Sequence, residues 1–131
     1  MIIKINMKSE IPIYLQLRNQ IVMGIGKGEF EEGELLPTVR QMAAVLGINN
    51  MTVSKAYQLL KSEGFIETDR RRGTVICIPG YEGGDRQEEF QEKLEEELEL
   101  LSAEAKIRGM SYKDFLEYCR QAFGRIEVAA E

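Results

Sequence analysis

Between Pro12 and Gly28 the apolar residues Tyr14, Leu17, Ile21 and Ile25 recur at steps of three and four, the spacing of one helix face. Proline fits the first turn of that helix, where its missing N–H would be unpaired anyway, and Gly26 and Gly28 end the run. The stretch GEFEEGELLP that follows has no period and reads as irregular, with Gly33 in a turn. Thr38 then caps a second helix, TVRQMAAVL, with Val39, Met42, Ala43 and Leu46 facing inward and Gly47 as terminator. After a short turn, Asn49 or Asn50 caps a third helix reaching about Glu63, and Gly64 ends it. Its buried stripe is Val53, Ala56, Tyr57 and Leu60. FIETD and GTVICI are rich in β-branched residues and lie on either side of three arginines, which predicts a hairpin with its tip at Asp69–Gly73.

PGYEGGD, residues 79–85, can continue neither a helix nor a strand and reads as a linker. It divides the chain into a first domain, residues 1–80, and a tail, residues 81–131. In the tail, Phe90, Leu94, Leu98, Leu101 and Ala105 make one apolar stripe on a helix of about 23 residues that closes near Gly109. Ser111 and Asp114 resemble a capping box and start a second helix carrying Phe115, Leu116, Cys119 and Phe123. Two helices alone bury such a stripe poorly. It either folds against the first domain or pairs with another chain.

Charge sharpens this division. The net charge of -5 hides ten basic against eight acidic residues in 1–80 and seven against fourteen in 81–131. Within 38–75 the basic residues Arg40, Lys55, Lys61, Arg70, Arg71 and Arg72 outnumber the acidic ones two to one. Segregation of sign along a chain says more about partners than its overall value. The glutamates 88, 89, 92, 95, 96, 97 and 99 could form a metal or effector site, but a solvated helix face is the commoner use. They could also keep a polyanion away from the tail by repulsion.

The remaining composition narrows the chemistry. There is no histidine, hence neither the commonest general base nor the commonest transition-metal ligand. Cys77 and Cys119 show no CxxC spacing, which argues against a disulfide or a zinc site. No nucleophile–base pair is evident, so no enzyme, metal site or cofactor is expected. No apolar run approaches the roughly 18 residues that span a bilayer. The start, MIIKINMKSE, is too short and polar for a secretory signal, so no membrane association and a cytoplasmic location are expected.

Two helices joined by a tight turn are a helix-turn-helix, and a hairpin directly behind them makes it winged. The fold class expected is therefore mainly α with a small β-hairpin: a winged helix-turn-helix domain followed by a two-helix tail. A recognition helix packs one face and offers the other to the major groove, reading bases near its start. Here Asn49, Asn50, Met51, Thr52, Ser54 and Lys55 are left at the exposed end. Asparagine can pair with adenine, and Met51 or the Thr52 methyl can touch a thymine methyl. Lys55 and the Thr52 or Ser54 hydroxyls can bind phosphate, as can N–H groups at the helix start. The simpler alternative for Asn49 and Asn50 is that they only cap the helix. Arg70, Arg71 and Arg72 belong at a wing tip lying along phosphates or entering a narrow minor groove. A solvated turn is the alternative.

The stretch LPTVRQMAAVLGINNMTVSKAYQLLKSEGFIETDRRRGTVI resembles the DNA-binding domain of the GntR family of bacterial transcription regulators. The matching residues are Leu36-Pro37, Arg40, Gly47, Thr52-Val53, Ala56-Tyr57, Leu60, Gly64, Ile66-Glu67 and Gly73-Thr74, and the resemblance covers about residues 10–78. It implies a DNA contact for Arg40, for which an internal salt bridge is the alternative, and a phosphate contact or cap for Thr38, which stands where the family usually has serine. Arg71 replaces a glycine of the family's wing while Gly73 remains, which predicts contact by side chain more than by backbone. Few arginines in the Asn-Asn-Met segment predict reading of A·T pairs more than of guanine. The short tail resembles that of the YtrA-like subfamily and implies dimerisation, with Phe90, Leu94, Leu98, Leu101, Phe115, Leu116 and Phe123 as the apolar contacts. The function so implied is a homodimeric regulator, most simply a repressor, on an inverted-repeat operator of double-stranded DNA that controls a transporter operon. The sequence names no small-molecule effector. The competing reading is a winged-helix module that binds protein rather than DNA.

Overall fold

The computed structural model describes residues 2–79 and 87–130. Its elements are helices α1 (Ile13–Gly26), α2 (Val39–Leu46) and α3 (Asn50–Glu63), strands β1 (Ile66–Asp69) and β2 (Gly73–Ile76), then helices α4 (Gln87–Ile107) and α5 (Tyr112–Ala130). They fall into two compact units, Met1–Tyr81 and Glu82–Glu131. Most of the linker expected at 79–85 lies outside the described residues.

The helix ends are set by local chemistry. Pro12 sits one residue before α1, not in its first turn, and its carbonyl accepts from the Leu15 and Gln16 N–H groups. Thr38 and Gln41 cap α2 reciprocally: Thr38 Oγ1 accepts from the Gln41 N–H at 3.1 Å and Gln41 Oε1 from the Thr38 N–H at 2.9 Å. A cap of this kind is worth about 1 kcal/mol. Gly47 and Gly64 close α2 and α3 at φ 68° and 87°, where a side chain would clash with its own backbone.

The core of the first unit gathers Leu17 and Ile21 of α1, Met42 and Ala43 of α2, Val53, Ala56, Tyr57 and Leu60 of α3, and Ile66 and Ile76 of the strands. Tyr14, Ile25, Val39 and Leu46 pack against its edge. The aperiodic stretch after α1 contributes more than expected, since Phe30 and Leu36 are both buried. A Cβ on Gly24 would stand 2.8 Å from the Phe30 ring, so the glycine makes room for it. Leu35 pairs with Val75, and Leu36 N–H and Ile76 N–H bond the carbonyls of Thr74 and Glu34 at 2.9 and 2.8 Å. The stretch thus lines the free edge of a two-stranded antiparallel sheet.

Two glutamines one turn apart on α1 hold the N-terminal segment. Gln16, almost fully buried, accepts from Asn6 N–H at 2.8 Å and donates to the carbonyls of Asn6 and Ile11 at 3.0 and 2.8 Å. Gln20 exchanges both bonds with the Lys4 backbone in the same way. Arg18 pairs with Glu63 through two bonds of 2.9 and 2.7 Å, tying α1 to the end of α3, and its guanidinium lies 5.7 Å from the Phe65 ring centre.

In the second unit α4 runs for 21 residues, and Gly109 turns the chain at φ 82°. The Ser111 hydroxyl accepts from the Asp114 N–H at 3.1 Å to start α5.

Candidate nucleic-acid interface

Helix α3 is sided as its sequence requires. Val53, Ala56, Tyr57 and Leu60 are buried against α1 and α2, which turns Asn49, Asn50, Met51 and Lys55 outward and leaves Thr52 and Ser54 half-exposed beside them. Met51 is 79% exposed. Asn49 does cap α3: its Oδ1 accepts from the Met51 N–H at 2.7 Å. Asn50 is the first helical residue and makes no cap.

The helix is anchored from behind. Tyr57 donates its hydroxyl to the Pro37 carbonyl at 2.8 Å, locking α3 to the residue before the Thr38 cap. Burial pushes the phenol's pKa well above the ordinary tyrosine range. Thr38 and Arg40 stand exposed at the start of α2. Arg40 has no carboxylate within ion-pair distance among the described residues, so none of these forms the salt bridge considered for it.

Lys55 has a partner that sequence reasoning missed. Its ammonium lies 4.1 Å from the centre of the Tyr14 ring, at the start of α1. A cation over an aromatic face at this distance is attracted by about 0.5–1 kcal/mol at an exposed site. The pair spans 41 positions of sequence, and Tyr14 had signalled only an apolar helix face.

The hairpin carries Arg70, Arg71 and Arg72 at its tip, all three exposed, between Asp69 and Gly73, which are paired across the strands. Asp69 Oδ1 accepts from the N–H groups of Arg71 and Arg72 at 2.8 and 3.3 Å. One carboxylate thus shapes the turn and offsets some of the mutual repulsion of the guanidinium groups. Gly73 lies at φ 108°, a conformation glycine tolerates and other residues rarely do. At the far end of the sheet the half-buried Cys77 thiol is pushed up to about 11, first by burial and then by Glu67 and Glu32. It is therefore a poor nucleophile. Among the described residues no cluster of three or more His, Cys, Asp or Glu could hold a metal, and no helix is long and apolar enough to cross a membrane.

The profile of the bacterial regulatory proteins of the gntR family matches residues 13–76, from α1 to the end of β2. The regulator YhcF of Bacillus subtilis is 33% identical over 111 residues, which cover 84% of this chain and 88% of that protein. The chain belongs to the GntR family. The transcriptional repressor YtrA of B. subtilis is 46% identical over 74 residues, 56% of this chain and 57% of that protein, so the match spans little more than half of this relative. YtrA from Sulfolobus acidocaldarius, a GntR-family transcription factor, superposes with a TM-score of 0.60 at 37% identity, covering 75% of this chain and 98% of that one. A transcriptional antiterminator from Listeria monocytogenes gives 0.86 at 28% identity over 96% of this chain and 92% of that one. The AraR DNA-binding domain, solved in complex with operator ORX1, shares the fold at a TM-score of 0.52 and 21% identity, over 59% of this chain and 99% of that one. The winged helix-turn-helix expected from the sequence is therefore the family's fold, and the relatives matched are named as transcription regulators.

Proposed function

We propose that the protein is a homodimeric repressor that reads an inverted-repeat operator and blocks transcription from the adjacent promoter. The observation that carries the DNA half of this reading is the sidedness of α3. Its buried stripe leaves Asn49, Asn50, Met51, Thr52, Ser54 and Lys55 on one open end, with the cationic hairpin tip as a second exposed feature. In this reading Asn50, Met51 and Thr52 touch base edges, with a bias to A·T pairs, and Asn49 divides its amide between cap and groove. Thr38, Arg40, Ser54 and Lys55 engage phosphates, and the wing adds affinity through its side chains, with Gly73 letting the turn lie close. The resemblance to YtrA-type regulators supports a transporter operon as the target.

The dimer half rests on the tail. Phe90, Leu94, Leu98 and Leu101 of α4 are 60, 40, 38 and 55% exposed, and Leu116 and Phe123 of α5 are 47 and 68% exposed, with Phe115 half-buried beside them. Covering the open part of such side chains is worth on the order of 1 kcal/mol apiece, roughly a dozen for six on each protomer. That is comparable to the freedom lost on association, so a dimer holds only if most of the stripe is covered. A single charge in the stripe should then dissociate it.

The test is footprinting and gel retardation on DNA upstream of the gene over a salt series, for the wild type and for Leu98→Glu. The wild type should sediment as a dimer and protect two half-sites, with affinity falling steeply as salt rises. Leu98→Glu should sediment as a monomer and protect one half-site weakly. A dimer undisturbed by that substitution would refute the tail interface. Absence of binding at low salt would favour a winged module that recognises protein.

A further inference from the structure

The three wing arginines are not equivalent in their surroundings. Arg72 turns back from the tip, and its Nη2 donates to the Gly33 carbonyl at 2.6 Å. Gly33 adopts φ 81° in the turn that begins the edge stretch, and its own N–H bonds the Ile76 carbonyl at 2.8 Å. A Cβ at Gly33 would stand 3.7 Å from Arg72 Nη1, so the guanidinium lies against this turn. The edge stretch goes on through Leu35, paired with Val75, to Leu36 and then to Pro37 and Thr38 at the start of α2. Arg72 therefore spans from the wing tip to the segment that leads into the helix-turn-helix. Among the described residues, the side chains of Arg70 and Arg71 make no such bond.

We infer that Arg72 is a positioning residue: it sets the angle of the wing against the helix-turn-helix, while Arg70 and Arg71 supply the wing's charge to DNA. The inference rests on the DNA-binding reading and divides the labour within it. A hairpin of two four-residue strands is weakly held by itself, and a free wing would lose the freedom of its tip on binding. A charge-assisted bond to a carbonyl on the neighbouring segment removes part of that freedom before DNA arrives. It also takes up one of the five N–H donors of Arg72 within the protein.

Salt dependence separates the two roles, because each phosphate neutralised adds about 0.9 to the slope of log affinity against log salt, whereas a lost intramolecular bond adds nothing. Arg70→Met, Arg71→Met and Arg72→Met are compared with the wild type by fluorescence anisotropy on one duplex across a salt series. Amide hydrogen exchange of the free proteins is followed in parallel. For Arg72→Met, affinity should fall on the order of 2- to 10-fold at every salt concentration with the slope unchanged. Its Gly33 and Leu36 amides should exchange faster than in the wild type. Arg70→Met and Arg71→Met should each flatten the slope and leave those amides as they were. A slope lowered equally by all three substitutions, with exchange unaltered by Arg72→Met, would make Arg72 a phosphate contact. The positioning role would then be overturned while the wing stayed on DNA. If none of the three moves the affinity, the wing reading itself fails and the positioning role goes with it.

Discussion

Tyr57→Phe removes one oxygen atom and nothing else. The ring is buried, with 6% of the residue exposed, so its packing against the core survives. What is lost is the 2.8 Å bond to the Pro37 carbonyl. A neutral bond of this sort contributes about 0.5–1.5 kcal/mol net, and an acceptor left unpaired in the interior costs about 1–3 kcal/mol. The bond is only partly buried, which lowers that cost. The expected destabilisation is therefore about 1–2 kcal/mol, or roughly 4–8 °C in melting midpoint for each kcal/mol in a unit of this size. Urea denaturation followed by circular dichroism gives the value directly. Both proteins must be held at one concentration, since subunit association shifts the midpoint. The phenol offers a second reading. Its pKa is raised on folding, so its contribution is complete below the free tyrosine value of about 10 and is lost as pH rises through the folded value above it. The wild type should thus lose more stability than Tyr57→Phe above about pH 10. A variant as stable as the wild type at neutral pH, with the same alkaline profile, would refute the account of Tyr57 as the tie between α3 and Pro37.

Cys77 and the exposed Cys119 should differ in reactivity. With its pKa pushed up to about 11, Cys77 at pH 8 holds about one thiolate in a thousand, so iodoacetamide should label Cys119 and spare Cys77 until the pH nears 11 or the protein unfolds. Equal labelling at pH 8 would contradict the burial described. The raised thiol also stabilises the fold below its ordinary value of 9.0, and that contribution fades as pH rises through about 11. For the ion pair of Arg18, 14% exposed, with Glu63, 27% exposed, Glu63→Ala should cost about 1.5–3 kcal/mol by chemical denaturation, because the guanidinium stays largely buried. Adding Arg18→Met should recover much of the loss. If the double variant is no better than the single, the penalty does not come from the stranded charge.

Local chemistry made most of the helical domain legible. Thr38, Gly47, Asn49 and Gly64 carry their own backbone preferences, so the ends of α2 and α3 fall where their residue types place them. The buried stripe of α3 and the arginine tip of the hairpin likewise follow from the period and the β-branched runs. The strands are shorter than the apolar stretches suggested, although the Cys77 N–H still bonds the Phe65 carbonyl at 2.8 Å beyond the last paired residues. The stretch before Pro37 was illegible because its role is to fill and to edge: Phe30 and Leu36 enter a core built by other segments, and Leu35 meets Val75 forty residues on.

Residue type and spacing alone thus determined the order of elements, the caps, the segregation of charge and the face of α3 left open. Tertiary structure alone decided what several of the cations meet. Lys55 rests on Tyr14, Arg72 on the Gly33 carbonyl and Arg18 on Glu63, while Arg40 has no carboxylate partner among the described residues. The physical reason is reach. A cap or a glycine turn is settled within four residues by backbone geometry. A lysine or arginine side chain can find an acceptor or a ring anywhere within several ångströms, and which one it meets depends on segments the chain brings together only when it folds.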